Sequence, residues 1–187
     1  MMTPKILVTN VLTNGETAKM KPFSVGGNTI YPIYYQVLAT RMSSFDSVTV
    51  HYHSKYHDRA KYFPGSNKMF IGFQSTVPPE GRSLIIHEAT HAICDMLRLS
   101  MTRADSESLG YIAQCLHYKT NFGNNPLSIE GMEDVFAAAS KIACAVHDGQ
   151  TIPSADYDDL RNKLNENNTY KNCMNEISAY DGIWFIA

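Results

Sequence analysis

Ser83-Leu84-Ile85-Ile86-His87-Glu88-Ala89-Thr90-His91-Ala92-Ile93-Cys94-Asp95-Met96-Leu97 is the stretch on which the fold of this chain turns. Ile86, Ala89, Ile93 and Met96 or Leu97 recur at helical spacing, and Ser83 stands where an N-cap serine would, so the stretch predicts a largely buried helix. Positions four apart share a helix face, which puts the imidazoles of His87 and His91 side by side with Glu88 beside them. One histidine in such a helix is usually a satisfied core residue. Three polar groups turned inward together must all find partners, and a metal ion would satisfy both imidazoles at once.

A catalytic zinc usually takes three protein ligands and leaves a fourth position to water, so another carboxylate or imidazole is required. The downstream stretch from Thr102 to Leu116 predicts a second helix, with Thr102 and Asp105 at capping-box spacing and Leu109, Ile112, Ala113 and Leu116 as its apolar stripe. Glu107 is the favoured third ligand. Gly110, three residues on, shares its face and has no side chain, which would let the two helices approach closely enough for the carboxylate to reach the metal. Two rivals stay open: Asp105, better explained by capping and the helix dipole, and Asp95, one turn beyond His91 and placed to orient a ligand or a backbone group.

His87-Glu88-x-x-His91 followed by a helix bearing Glu107-x-x-Gly110 resembles the zincin metallopeptidases, specifically their glutamate-ligand branch, the gluzincins. The resemblance covers roughly residues 68–118. It implies Zn2+ held by His87, His91 and Glu107, with Glu88 as the general base that takes a proton from water and returns it to the leaving amine. A peptide or protein substrate follows from the same resemblance, as does a sheet-edge strand beside the cleft, for which Met69 to Phe73 is the nominee. The interval between the two helices is shorter than in the larger members, and there is no recognisable second catalytic domain. His91-Ala92 with Asp95, and Tyr111-Ile112-Ala113-Gln114, are similar to stretches of small zincin-like proteins of bacteria and phages. Tyr111, His117, Tyr118 and Tyr180 are candidate donors to a developing oxyanion, none of them singled out.

Around this core the pattern predicts strands over residues 5–11, 47–53 and 68–73, the last two as a hairpin-like pair, and helices over residues 32–42, 132–146 and 157–165. This is one α+β domain over residues 1–187, strand-rich to residue 80 and mainly helical after it, with a small mixed or antiparallel sheet ahead of the active-site helix. His51, His53 and His57 form a second histidine group, whose only nearby carboxylate is Asp58, and they read as solvent-facing strand positions. The tail Ile183-Trp184-Phe185-Ile186-Ala187 is apolar and expected to dock on the body.

With 16 Lys and Arg against 18 Asp and Glu, the charge is nearly balanced and no basic face emerges, which argues against a nucleic-acid partner. No stretch approaches a membrane span and no secretory signal is visible, so an intracellular, soluble protein is expected. Cys94, Cys115, Cys144 and Cys173 form no C-x-x-C; the first three fall in helical apolar patterns and read as core residues of a reducing compartment. The leading expectation is a zinc metallopeptidase. The alternative is a metal-binding interaction protein on the same fold without turnover.

Overall fold

The computed structural model describes residues 2–45, 47–57, 59–123, 127, 129–170, 175–178, 180 and 182. Along them run α1 (Pro4–Thr13), β1 (Phe23–Val25), β2 (Asn28–Ile30), α2 (Ile33–Phe45), β3 (Thr49–Tyr52), β4 (Ala60–Phe63), β5 (Lys68–Ile71), α3 (Pro79–Met96), α4 (Arg103–Phe122), α5 (Glu133–Asp148) and α6 (Ser154–Glu166). The class is α+β. Residues 1–80 hold every described strand, but also two of the helices.

The first of these helices replaces the strand predicted over residues 5–11. Leu7, Val8, Val11 and Leu12 are its buried residues, a spacing that one helix face accommodates, and a short apolar run is ambiguous until its flanks are weighed. Here the flanks decide for helix: Thr3 Oγ1 accepts from the Ile6 amide at 3.3 Å, and Pro4 opens the first turn.

The three-stranded sheet has the order β3-β5-β4, with β3 parallel to β5 and β4 antiparallel to it. The two predicted strands therefore pair, but in parallel rather than as a hairpin, and the connection between them contains β4, which the pattern did not predict. Four residues, with Ala60 and Tyr62 buried around an exposed Lys61, are too short a run to show alternation. β5 is consequently the interior strand and β4 an edge, so Met69 to Phe73 is not the sheet edge. A separate hairpin joins β1 to β2 through Gly26 and Gly27, both at positive φ.

The central element is α3, which packs against α1, α2, β4 and α4. It begins four residues before Ser83, with Pro78 at the cap position and Pro79 in the first turn, so Ser83 is a buried helical residue and not the N-cap. On one side the fully buried Tyr35 of α2 meets Thr90 Oγ1 at 2.9 Å. Helices α4, α5 and α6 pack on one another to complete the body, close to their predicted positions. Burial pushes the thiols of Cys94 and Cys115 up to about 12, as suits core residues; Cys144 is half-buried, and Cys173 and residues 183–187 lie outside the described residues. No described helix is long and apolar enough to cross a membrane.

A buried polar cluster ties α3 to α4 and to the loop after α1. His117 Nδ1 lies 2.8 Å from Ser83 Oγ, while its Nε2 sits 3.2 Å from Glu16 Oε2 but out of line for a hydrogen bond. Arg82 Nη1 in turn donates to Glu16 Oε1 at 2.6 Å. Burial lowers the His117 pKa to about 4, against the pull of the Glu16 carboxylate. A histidine kept neutral in the fold takes up its proton more readily once unfolded, so stability falls as pH drops through the unfolded value near 6.5 towards 4. The expected loss from this group is about 2 kcal/mol between pH 7.5 and pH 5. Urea denaturation of wild type and of His117→Gln checks it: the drop should shrink by about that amount in the variant, and equal drops would refute it.

Candidate metal centre

The second helix starts as its sequence implies. Thr102 Oγ1 caps the Asp105 amide at 3.2 Å, and the Asp105 carboxylate pairs with Arg161 on α6, which removes Asp105 from the ligand candidates. Asp95 is removed too: its Oδ2 accepts from the Tyr62 hydroxyl at 2.7 Å and its Oδ1 from the Gly182 amide at 2.8 Å. It orients a backbone group, not a ligand.

The structure brings together His87, His91 and Glu107. The two Nε2 atoms face each other at 3.1 Å, and Glu107 Oε2 lies 3.5 Å from one and 3.7 Å from the other. Ligand atoms held about 2.0–2.2 Å from a tetrahedral ion stand about 3.3–3.6 Å apart, so this buried group could hold a metal ion with little movement. Among the described residues no other set of three such side chains converges in this way.

The far sides of the rings are held as well. His87 Nδ1 is 3.2 Å from Gln114 Oε1, and His91 Nδ1 is 3.0 Å from Ser106 Oγ and 3.1 Å from the Tyr180 hydroxyl. An imidazole whose Nε2 faces a metal carries its proton on Nδ1, and an acceptor there fixes both tautomer and ring plane. Gln114 and Ser106 were not predicted, although Gln114 continues the spacing of Glu107 and Gly110 along α4 and was open to discovery on that ground.

Gly110 acquires a sharper role than helix approach in general. A methyl group on it would lie 2.7 Å from His87 Nε2 and 2.8 Å from Cε1, so the imidazole occupies the space a side chain would fill. The neighbouring Tyr111 ring meets the His87 ring edge-on at 4.6 Å and is itself backed by Phe136 of α5 at 5.3 Å. His87 is wedged between α4 backbone and an aromatic pair.

Charge follows from these surroundings. Burial alone would raise the Glu107 carboxyl, but the two imidazoles, His91 foremost, outweigh it and hold it well below the usual carboxylate range. Glu88 is equally enclosed; burial pushes it up to about 7, only partly offset by the nearby His87 imidazole and by a hydrogen bond from the Tyr62 amide to Oε2 at 2.6 Å. One buried carboxylate is thus stabilised as an anion and its neighbour is poised to hold a proton near neutrality.

The four candidate oxyanion donors are engaged elsewhere. The Tyr111 hydroxyl lies 2.9 Å from that of Tyr170, Tyr118 donates to Glu80 at 3.3 Å, His117 sits in the cluster with Ser83, and Tyr180 supports His91 from behind. The second histidine group is an aromatic surface: His51 stacks on Phe70 at 5.4 Å, and His53 Nδ1 accepts from the Lys55 amide. Asp58 lies outside the described residues.

Compared with models of known families, with curated proteins and with solved structures, the chain matches none. The site must be read from its own geometry.

Gly110→Ala isolates the central contact. The substitution should raise intrinsic helix propensity by up to about 1 kcal/mol yet weaken metal binding at least about tenfold, because the methyl displaces the His87 ring. Circular dichroism with a metal titration checks this, and unchanged affinity would show that the contact does not govern the site.

Proposed function

We propose that this protein is a zinc-dependent metallopeptidase in which His87, His91 and Glu107 hold the metal and Glu88 is the general base. The observation that carries the reading is the convergence of two Nε2 atoms and one carboxylate oxygen, with a second carboxylate beside them that is committed to no ligand role. Two neutral imidazoles and one carboxylate suit zinc and leave a position open. The resemblance of His87-Glu88-x-x-His91 and Glu107-x-x-Gly110 to the gluzincins points the same way. Zinc bound there supplies a Lewis acid and lowers the pKa of water towards neutrality.

The chain's own part is to handle the proton and align the substrate. Glu88 takes a proton from the attacking water and returns it to the departing amine. The Tyr62 amide positions the Glu88 carboxylate meanwhile, and the edge strand that carries this amide is β4. An extended peptide lying along β4 would present its carbonyls beside Glu88, which makes β4, in place of Met69 to Phe73, the strand for substrate pairing.

The enclosure of the ligand group favours a second reading, a metal-stabilised interaction protein without turnover: His87 is 4 % exposed and Glu107 9 %. A structural zinc, however, normally closes on four protein ligands and has no use for a buried base.

Elemental analysis and a peptide-library cleavage screen separate these. Wild type should carry about one zinc per chain. Glu107→Ala and His91→Ala should lose or greatly weaken zinc binding, while Glu88→Gln should keep zinc and lose cleavage by at least about a hundredfold. No zinc in wild type purified without chelator would overturn the metal centre; zinc without cleavage of any peptide would turn the assignment to the interaction protein.

A further inference from the structure

The segment after α6 returns to the metal centre. Ile177 bridges Thr102 in antiparallel fashion, the Arg103 amide donates to the Glu176 carbonyl at 2.8 Å, and the Ser178 amide donates to the Met101 carbonyl at 3.0 Å. The segment thus runs along the connection between α3 and α4, directly before the turn of α4 that carries Ser106 and Glu107. Further on, the Gly182 amide donates to the buried Asp95 carboxylate of α3. Between these two attachments stands Tyr180, whose hydroxyl reaches both Ser106 Oγ and His91 Nδ1.

We propose that Tyr180 is a positioning residue for the metal centre: its hydroxyl, with Ser106, accepts a hydrogen bond from the Nδ1–H of His91 and so fixes the ring with Nε2 towards His87 and Glu107. This rests on the metal-centre reading above. Three features support it. Tyr180 lies between two attachments, the backbone pairing of Glu176 and Ser178 with Arg103 and Met101 on one side and the Gly182 amide donating to the Asp95 carboxylate on the other, so its hydroxyl is delivered by structure and not by chance contact. Its target, Nδ1, is the ring atom left over when Nε2 serves the metal. The opposite ring, His87, has its own acceptor in Gln114, so without Ser106 and Tyr180 only one of the two imidazoles would be oriented.

The arrangement is reciprocal. If the segment from Glu176 to Gly182 improves metal affinity, metal binding must stabilise that segment by the same free energy. A side chain that merely packs would stabilise the fold with and without metal alike.

The test uses the full chain and cobalt(II) as the probe, in competition with a chromophoric chelator, for wild type, Tyr180→Phe, Ser106→Ala and the double variant. Tyr180→Phe should bind cobalt about tenfold more weakly, with a changed d–d absorption band and a melting temperature lowered more in the cobalt-bound than in the metal-free protein. The double variant should lose more than either single one. In a second measurement, hydrogen exchange at the Arg103 and Ser178 amides should slow when cobalt is added to wild type, and less so in Tyr180→Phe. Equal cobalt affinity and spectrum in wild type and Tyr180→Phe would overturn the assignment while leaving the metal centre intact. A Tyr180→Phe chain destabilised equally with and without metal would also overturn it, marking Tyr180 as a packing residue. Wild type that binds no cobalt would overturn the metal centre and this role with it.

Discussion

The contact between the His87 imidazole and the bare backbone at Gly110 is the constraint from which the rest of the site follows. Helices normally pack with about 8–10 Å between axes because side chains intervene. Here a ring from α3 takes the place of a side chain on α4, and this sets both the separation and the register of the pair. Once Gly110 stands against His87, Glu107 lies a turn before it on the same face, next to the Nε2 atoms, and Gln114 lies a turn after it, next to His87 Nδ1. One missing Cβ thus aligns a candidate ligand and the support of another. Tyr111, backed by Phe136 of α5, packs against the His87 ring on another side.

Helices α3 and α4 bury three carboxylates, Glu88, Asp95 and Glu107. Their environments differ in kind. Glu107 faces two imidazoles, Asp95 faces a phenol and a backbone amide, and Glu88 has a backbone amide at its Oε2. Enclosure costs each of them hydration, so the partners determine how readily each ionises. Carboxylates whose surroundings push them in opposite directions, as Glu107 and Glu88 are pushed, are the arrangement from which acid–base roles are built. In the metallopeptidase reading proposed above, that contrast would give Glu88 the base role and Glu107 the ligand role.

The parts of this structure legible in the sequence are those carried by local periodicity. Helix α3, the second helix with its cap, the grouping of His87, His91 and Glu107, and the special standing of Gly110 all lie within residues 79–122, a stretch governed by three- and four-residue spacing. What escaped depends on short or distant pairings. Four residues of β4 are too few to display a period, and Ile6-Leu7-Val8 reads as strand until Thr3 and Pro4 are recognised as a helix start. Tyr180 stands 89 residues from His91 in sequence, and no local pattern distinguishes it from the chain's other tyrosines.

Asp95 links these distant parts. Its two oxygens join the Tyr62 hydroxyl on β4 to the Gly182 amide beyond α6, while the Tyr62 amide holds Glu88 and the segment leading to Gly182 carries Tyr180 to His91. Glu88 and one of the candidate ligands are therefore connected through a ring of contacts that leaves α3 by way of the sheet edge and returns by way of the last described segment. A carboxylate that is fully enclosed resists losing either donor, because an unpaired buried anion is more costly than the bond it loses. Displacement of β4 would accordingly disturb the support of His91 as well as the position of Glu88. The edge that would meet an extended peptide is in this way mechanically joined to the group that would hold the metal, although it contributes no ligand to it.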